Sequence, residues 1–274
     1  MRPLVCGLSL ILLLAAPLNA QSDLNDEGLA AQSPAPGITK EELAILLKTE
    51  FASNLKRPSP LAFSDDDAKF WAGKAKTAHK NAPVERGDLA KTYDVVVQIG
   101  HYPRKTGRTG GQGKFVSEQE IAALVAVGLQ QQLAKLKNGK QPFSVLLVGA
   151  DDYTAHLKSK IFLALHTDAA ARQCVVGPSV AYQKIGDASG MHAIALALAI
   201  TLGKDAERFM NDNYTKDEAG YYAFKQFDTT EFKGLLEMSE LTCPDQEKAL
   251  LERAAALSTN LAYAVQFALR PPRS

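Results

Sequence analysis

Tyr93-Asp94-Val95-Val96-Val97-Gln98-Ile99-Gly100-His101 is the stretch from which the fold is read. Its apolar residues run on with little polar alternation, the pattern of a strand covered on both faces, and Gly100 ends the run. Helical spacing follows at Ile121, Leu124, Val125, Leu129, Leu133 and Leu136, and strand-like runs at Ser144 to Gly149 and Ile161 to His166 come after it. This order predicts an α/β domain over residues 92–274, with a central mixed β-sheet flanked by helices. Further on, Ala193 to Leu202 reads as helix and Gly234 to Met238 as a short apolar strand. Pro244 suits the first turn of a final helix reaching about Leu269, because a missing N–H costs nothing there.

Upstream the composition changes twice. Residues 1–20 have Arg2, an apolar run from Leu8 to Ala16 and a small residue at Ala20, which is the layout of a secretory signal peptide. The run is far shorter than the roughly 20 residues a membrane span needs, so no membrane span is expected, and the mature chain is expected outside the cytoplasm, periplasmic or secreted. Residues 21–91 read as a flexible leader followed by a helical extension. Gln21 to Gly37 is Ser, Asp, Asn, Ala, Pro and Gly with little to bury. Thr39 then caps an amphipathic helix through Leu55, Pro58 and Pro60 break it, and Asp65-Asp66-Asp67 opens a second helix, its acids suited to the positive helix end.

The formal net charge of +1 gives no reason to expect a nucleic-acid partner. Once the signal is removed two cysteines remain, Cys174 and Cys243, and an exported chain with two cysteines is expected to join them in a disulfide. The Gly-rich run from Gly107 to Lys114 is not a phosphate loop: Arg108 and Phe115 stand where that motif requires Gly and Ser or Thr.

Strand ends are where an α/β domain displays chemistry. His101 follows the first strand, His166 closes the third, and Glu237 lies in the late apolar strand, so three strand ends carry groups able to hold or use zinc. Of the two acids opening the first main-domain helix, Glu120 lies three residues after Ser117 and completes a capping box, which leaves Glu118 for a metal. His79, His156 and His192 fall outside this pattern: His79 reads as solvated, His156 as a reserve ligand in a polar loop, and His192 as a surface or capping residue.

In order and context these segments resemble the zinc-dependent N-acetylmuramoyl-L-alanine amidases of the amidase-3 type. The resemblance rests on Ile99-Gly100-His101, Ser117-Glu118, Leu163-Ala164-Leu165-His166-Thr167-Asp168-Ala169, and Leu235-Leu236-Glu237-Met238 followed by Pro244-Asp245. It covers roughly Tyr93 to the C-terminus. It implies that His101, Glu118 and His166 bind Zn2+, that Glu237 is the general base and acid, and that the substrate is the amide between N-acetylmuramic acid and L-alanine in peptidoglycan. Arg104, Lys105, Arg108 and Lys114 lie between presumed ligands and are placed to meet stem-peptide carboxylates, the first three most directly. The chain departs from the family at Gln98-Ile99, usually Asp-Pro, at Tyr102-Pro103, usually Gly-Gly, and between Val148 and Ile161, where a Thr-Arg pair and most of a helix are missing. Those departures keep two other readings open: a zinc peptidase on muropeptides or other peptides, and a non-catalytic wall-binding protein on the same scaffold. No activator protein is named by any motif.

Overall fold

The computed structural model describes residues 38–184, 189–212 and 220–270. The signal segment and the leader up to residue 37 lie outside the described residues.

Five strands form one mixed sheet: β1 (Thr92–Ile99), β4 (Val145–Val148), β5 (Leu157–Asp168), β6 (Ser179–Lys184) and β7 (Phe227–Glu240), in the order β4-β1-β5-β7-β6. Only β6 runs antiparallel to its neighbour. The Val-rich run of β1 has parallel partners on both sides and is buried from Val95 to Ile99. The domain is therefore the α/β fold with a mixed central sheet that the sequence predicts. A small hairpin of β2 (Lys137–Asn138) and β3 (Gln141–Pro142) stands apart.

One sheet face, bearing Val95, Val97, Ile99, Ile161, Leu163, Leu165 and Leu236, packs in the main core with α4 (Glu118–Leu133), α5 (Ser189–Leu202) and α7 (Pro244–Ala268). The other face carries Val96, Phe162, Ala164 and Leu235 and is covered without a long helix. Residues 149–156 cross it on the way from β4 to β5. Tyr153 packs against Phe227 with ring centroids 4.9 Å apart, and a 3-10 turn at Tyr222–Gln226 adds Phe224. No helix stands between β4 and β5, as the sequence predicts, and the cover there is a thin aromatic one.

Several elements differ from the sequence reading, each for a local reason. The helix expected from Thr39 to Leu55 is two, α1 (Lys40–Leu47) and α2 (Glu50–Asn54), because Thr49 turns extended and its hydroxyl caps the second at Ala52 N. The strand expected at Gly234 starts at Phe227; its first residues, Asp228 to Glu231, alternate with solvent and lack an apolar signature. The two segments from residues 38–91 that form helices join the same core. Small Ala68, Ala72 and Ala75 on α3 (Asp65–Lys80) let it approach closely, and Phe51 stacks on Phe267 at 5.1 Å. Buried Asn260 of α7 accepts from Lys56 N and donates to Lys56 O, both at 2.9 Å, so the extension is bonded to the last helix.

Candidate metal centre

The elements that carry the chemistry end at one edge of the sheet. Ser117 caps α4 by accepting from Glu120 N while the Glu120 carboxylate accepts from Ser117 N at 2.8 Å, as the spacing predicts. Glu118 is left to turn inward and is buried. His101, Glu118 and His166 offer ligand atoms all within 4.8 Å of one another, and among the described residues this is the one such group that could hold a metal.

Each of the three side chains is held from behind. Glu118 Oε2 accepts from Gly111 N at 2.8 Å and Oε1 from Thr167 N at 3.1 Å. His166 Nδ1 lies 3.0 Å and His101 Nε2 3.4 Å from Glu118 Oε1. His101 Nδ1 lies 2.9 Å from the Arg108 carbonyl, which can only accept, and 3.3 Å from Arg104 Nη1, which can only donate. Behind His166 stands Tyr221, its oxygen 3.1 Å from Nε2 and 2.7 Å from Gln98 Oε1. Gln98 is fully buried.

Charges respond to this setting. Burial pushes the Glu118 carboxyl up, but hydrogen bonds and charge from His101 and His166 outweigh it and hold it well below the usual carboxylate range. Burial lowers both imidazoles. For His101 the contacts with Glu118 reverse the balance and raise it, whereas His166 stays lowered. Burial raises the Tyr221 phenol well above its ordinary value, so it stays protonated.

Two glycines are required by close approach. A Cβ on Gly110, which has φ +84°, would lie 2.7 Å from Glu118 Oε2 and 2.9 Å from the His101 ring. One on Gly100 would lie 2.6 Å from Leu165 O and 2.8 Å from His166 Nδ1. The Gly-rich loop that fails as a phosphate loop is a cradle for a carboxylate.

Glu237 lies on β7 in register with His166, one strand over and on the same sheet face, and is half-buried. A register shift follows between His166 and Asp168, a bulge of the kind that re-aims side chains beside a site. Arg104 forms a fork on Asp151, with Nε and Nη2 at 2.5 and 2.6 Å, which raises its pKa and lowers that of Asp151. Lys105 and Arg108 are exposed on the same loop. Cys174 and Cys243 form a disulfide that joins the loop after β5 to the start of α7. Buried Glu240 braces that loop by accepting from Cys174 N and Val176 N.

The remaining histidines lie elsewhere. His156 pairs with Asp228 at 3.3 Å at the opposite end of β5 from His166, which removes it as a reserve ligand. His192 is buried in α5 near Tyr182, not on the surface. His79 is half-buried against Tyr102 and 3.4 Å from Gln119 Oε1, not simply solvated. Sequence reasoning missed Tyr221, which lies 55 residues from His166 and in no recognisable motif.

No protein-family model matches the chain. No curated protein matches it in sequence. Solved structures do match in shape. The N-acetylmuramoyl-L-alanine amidase from Clostridium difficile 630 is similar over 65% of this chain and 96% of its own, at 14% identity and a TM-score of 0.44. The N-acetylmuramyl-L-alanine amidase Ami1 from Mycobacterium smegmatis matches over 67% and 99%, at 12% identity and 0.44. The amidase AmiC2 of Nostoc punctiforme matches over 65% and 97%, at 14% and 0.41. Likeness at this level assigns neither chemistry nor substrate.

Proposed function

We propose that the chain is an extracytoplasmic zinc-dependent amidase that cleaves peptidoglycan between N-acetylmuramic acid and L-alanine. The observation that carries the reading is the convergence of three buried side chains: His101, an ionised Glu118 and His166 offer ligand atoms all within 4.8 Å of one another. Two His with one carboxylate form a ligand set with a position left open. The donor types suit Zn2+. No helix of the described residues is long and apolar enough to cross a membrane.

When bound, zinc supplies Lewis acidity, polarising an amide carbonyl and lowering the pKa of water to about 7. The chain supplies the rest. His101 and His166 keep their second nitrogens bonded to Arg108 O and Tyr221, which fixes ring orientation. Glu237, beside His166, takes a proton from the attacking water and returns it to the departing alanine nitrogen. Lys105 and Arg108 border the centre and meet stem-peptide carboxylates. Arg104, engaged by Asp151, orients their loop.

The test is elemental analysis of the purified protein together with release of stem peptides from sacculi, for wild type and Glu237→Ala. About one zinc in both proteins, with release by wild type alone, is the expected result. Zinc with no hydrolysis by wild type would favour a wall-binding protein, and cleavage of soluble muropeptides but not sacculi would favour a peptidase. Absence of zinc would sink the proposal.

A further inference from the structure

Glu247, 1% exposed in the first turns of α7, is a buried acid that the proposed reaction does not use. It accepts from three consecutive backbone N–H groups 131 to 133 residues away: Oε2 from Lys114 N at 2.9 Å, Oε1 from Phe115 N at 2.7 Å and Val116 N at 3.0 Å. These groups form the turn of a narrow hairpin. Glu118 N donates to Gly111 O at 2.9 Å, Gln112 bridges to Ser117, and Gly113 N donates to Val116 O at 2.9 Å. The turn is thus seated on Glu247, while at the open end Gly111 N donates to Glu118 Oε2. The seat is close: a Cβ on Gly113 would collide with Glu247 Oε1 and lie 3.0 Å from Leu241 O.

We infer that Glu247 is a positioning residue: by gathering the N–H groups of the turn it holds the hairpin closed, and so fixes the Glu118 carboxylate in the centre. A short two-stranded ribbon is not stable by itself in water. Without Glu247, three adjacent donors lose their acceptor, and Val116 is fully buried, so the turn must open to reach water. Glu118 would then keep Thr167 N and lose Gly111 N. Glu247 is itself well anchored, because its N donates at 2.9 Å to the carbonyl of Cys243, the capping residue that the disulfide ties to Cys174. The other tether of the turn is weak by comparison: Lys114 pairs with Asp65 of α3, but the two side chains are 56% and 45% exposed, and exposed pairs contribute little.

The ligand role of Glu118 rests on the proposed function, but the brace does not, and the experiment separates them. Amide hydrogen exchange of the metal-free full chain is followed by NMR in wild type, Glu247→Leu and Glu247→Gln. In Glu247→Leu exchange at Phe115, Val116 and the distant Gly111 is expected to quicken by about 10–100-fold. Zinc affinity, measured by chelator competition, is expected to fall by about 10–100-fold as well. Glu247→Gln keeps an oxygen for Phe115 N and Val116 N and turns an NH2 toward Lys114 N, so it should fall between the two, and it carries the test if Glu247→Leu does not fold. Asn260→Ala, which weakens the far part of α7, should leave zinc affinity unchanged. Equal loss of affinity in Asn260→Ala would reduce Glu247 to a contributor to stability and overturn the inference, as would Gly111 protection that survives in Glu247→Leu. Loss of Gly111 protection in a protein whose wild type binds no zinc would support the brace while removing the metal reading.

Discussion

Replacing Gly100 by Ala places a methyl group between a strand carbonyl and the His166 ring. The new carbon would meet Leu165 O at 2.6 Å and His166 Nδ1 and Cε1 at 2.8 Å. Leu165 lies inside β5, paired with Ile99 of β1, so its carbonyl cannot retreat without parting two central strands. The yielding group must be the His166 ring, which then leaves Glu118. Overpacking of this kind costs about 1–3 kcal/mol. A buried carboxylate deprived of one charge-assisted partner costs about 1.5–3 kcal/mol more. Together these lower Tm by between about 5 and 24 °C at about 2–4 °C per kcal/mol for a domain of this size. Thermal unfolding in the presence of chelator measures that loss, and competitive zinc titration measures the displaced ligand. Gly73→Ala is the control: on α3 nothing lies within 4 Å of its Cβ, and a helix-interior Gly→Ala change should stabilise by up to about 1 kcal/mol. If Gly100→Ala melts within 2 °C of wild type and binds zinc equally well, the close packing of Gly100 on His166 is not what the site depends on.

Removing the disulfide by Cys174→Ser with Cys243→Ser frees a loop of sequence separation 69 and should cost about 4 kcal/mol, a Tm fall of about 8–16 °C. A fall under 3 °C would show that the Glu240 bonds already constrain that loop. Asn260→Ala strips Lys56 N–H and C=O of their partner and should cost about 1–3 kcal/mol in urea unfolding, with earlier proteolysis near residue 56; unchanged protection would mean that the extension is held otherwise. In metal-free protein His101 should titrate above 6.5 and His166 below it. The raised His101 adds stability below pH 6.5 and loses it as pH rises through its folded value, whereas the lowered His166 adds stability above pH 6.5 and loses it as pH falls through its own. Histidine NMR titrations in the reverse order would refute both assignments.

The chain's order of patterns was enough for the sheet's core, because β1 and the apolar half of β5 are buried on both faces and tolerate no polar residue until their ends. The choice of Glu118 over Glu120 was legible for a similar reason: capping is local, and Ser117 can take only one acid at that spacing. His101 and His166 were legible as strand-end residues. Their meeting at Glu118 was expected only from the family resemblance, since the contacts span 17 and 48 residues and depend on β1 and β5 lying side by side.

What only the tertiary structure decided is the surroundings of the site. Tyr221 reaches His166 from the position just before a 3-10 turn, Gln98 becomes a fixed donor through two carbonyls beyond β4, and Arg104 is claimed by Asp151. None of these pairings leaves a period or motif in the sequence, because each joins one side chain to a distant backbone or to a lone partner. By itself the sequence determined which groups could perform chemistry, since residue type and local spacing settle that. Which partner stands behind each imidazole, which charge is already engaged and which glycine is hemmed in follow from distances between segments far apart in the chain, and such distances exist only once it has folded.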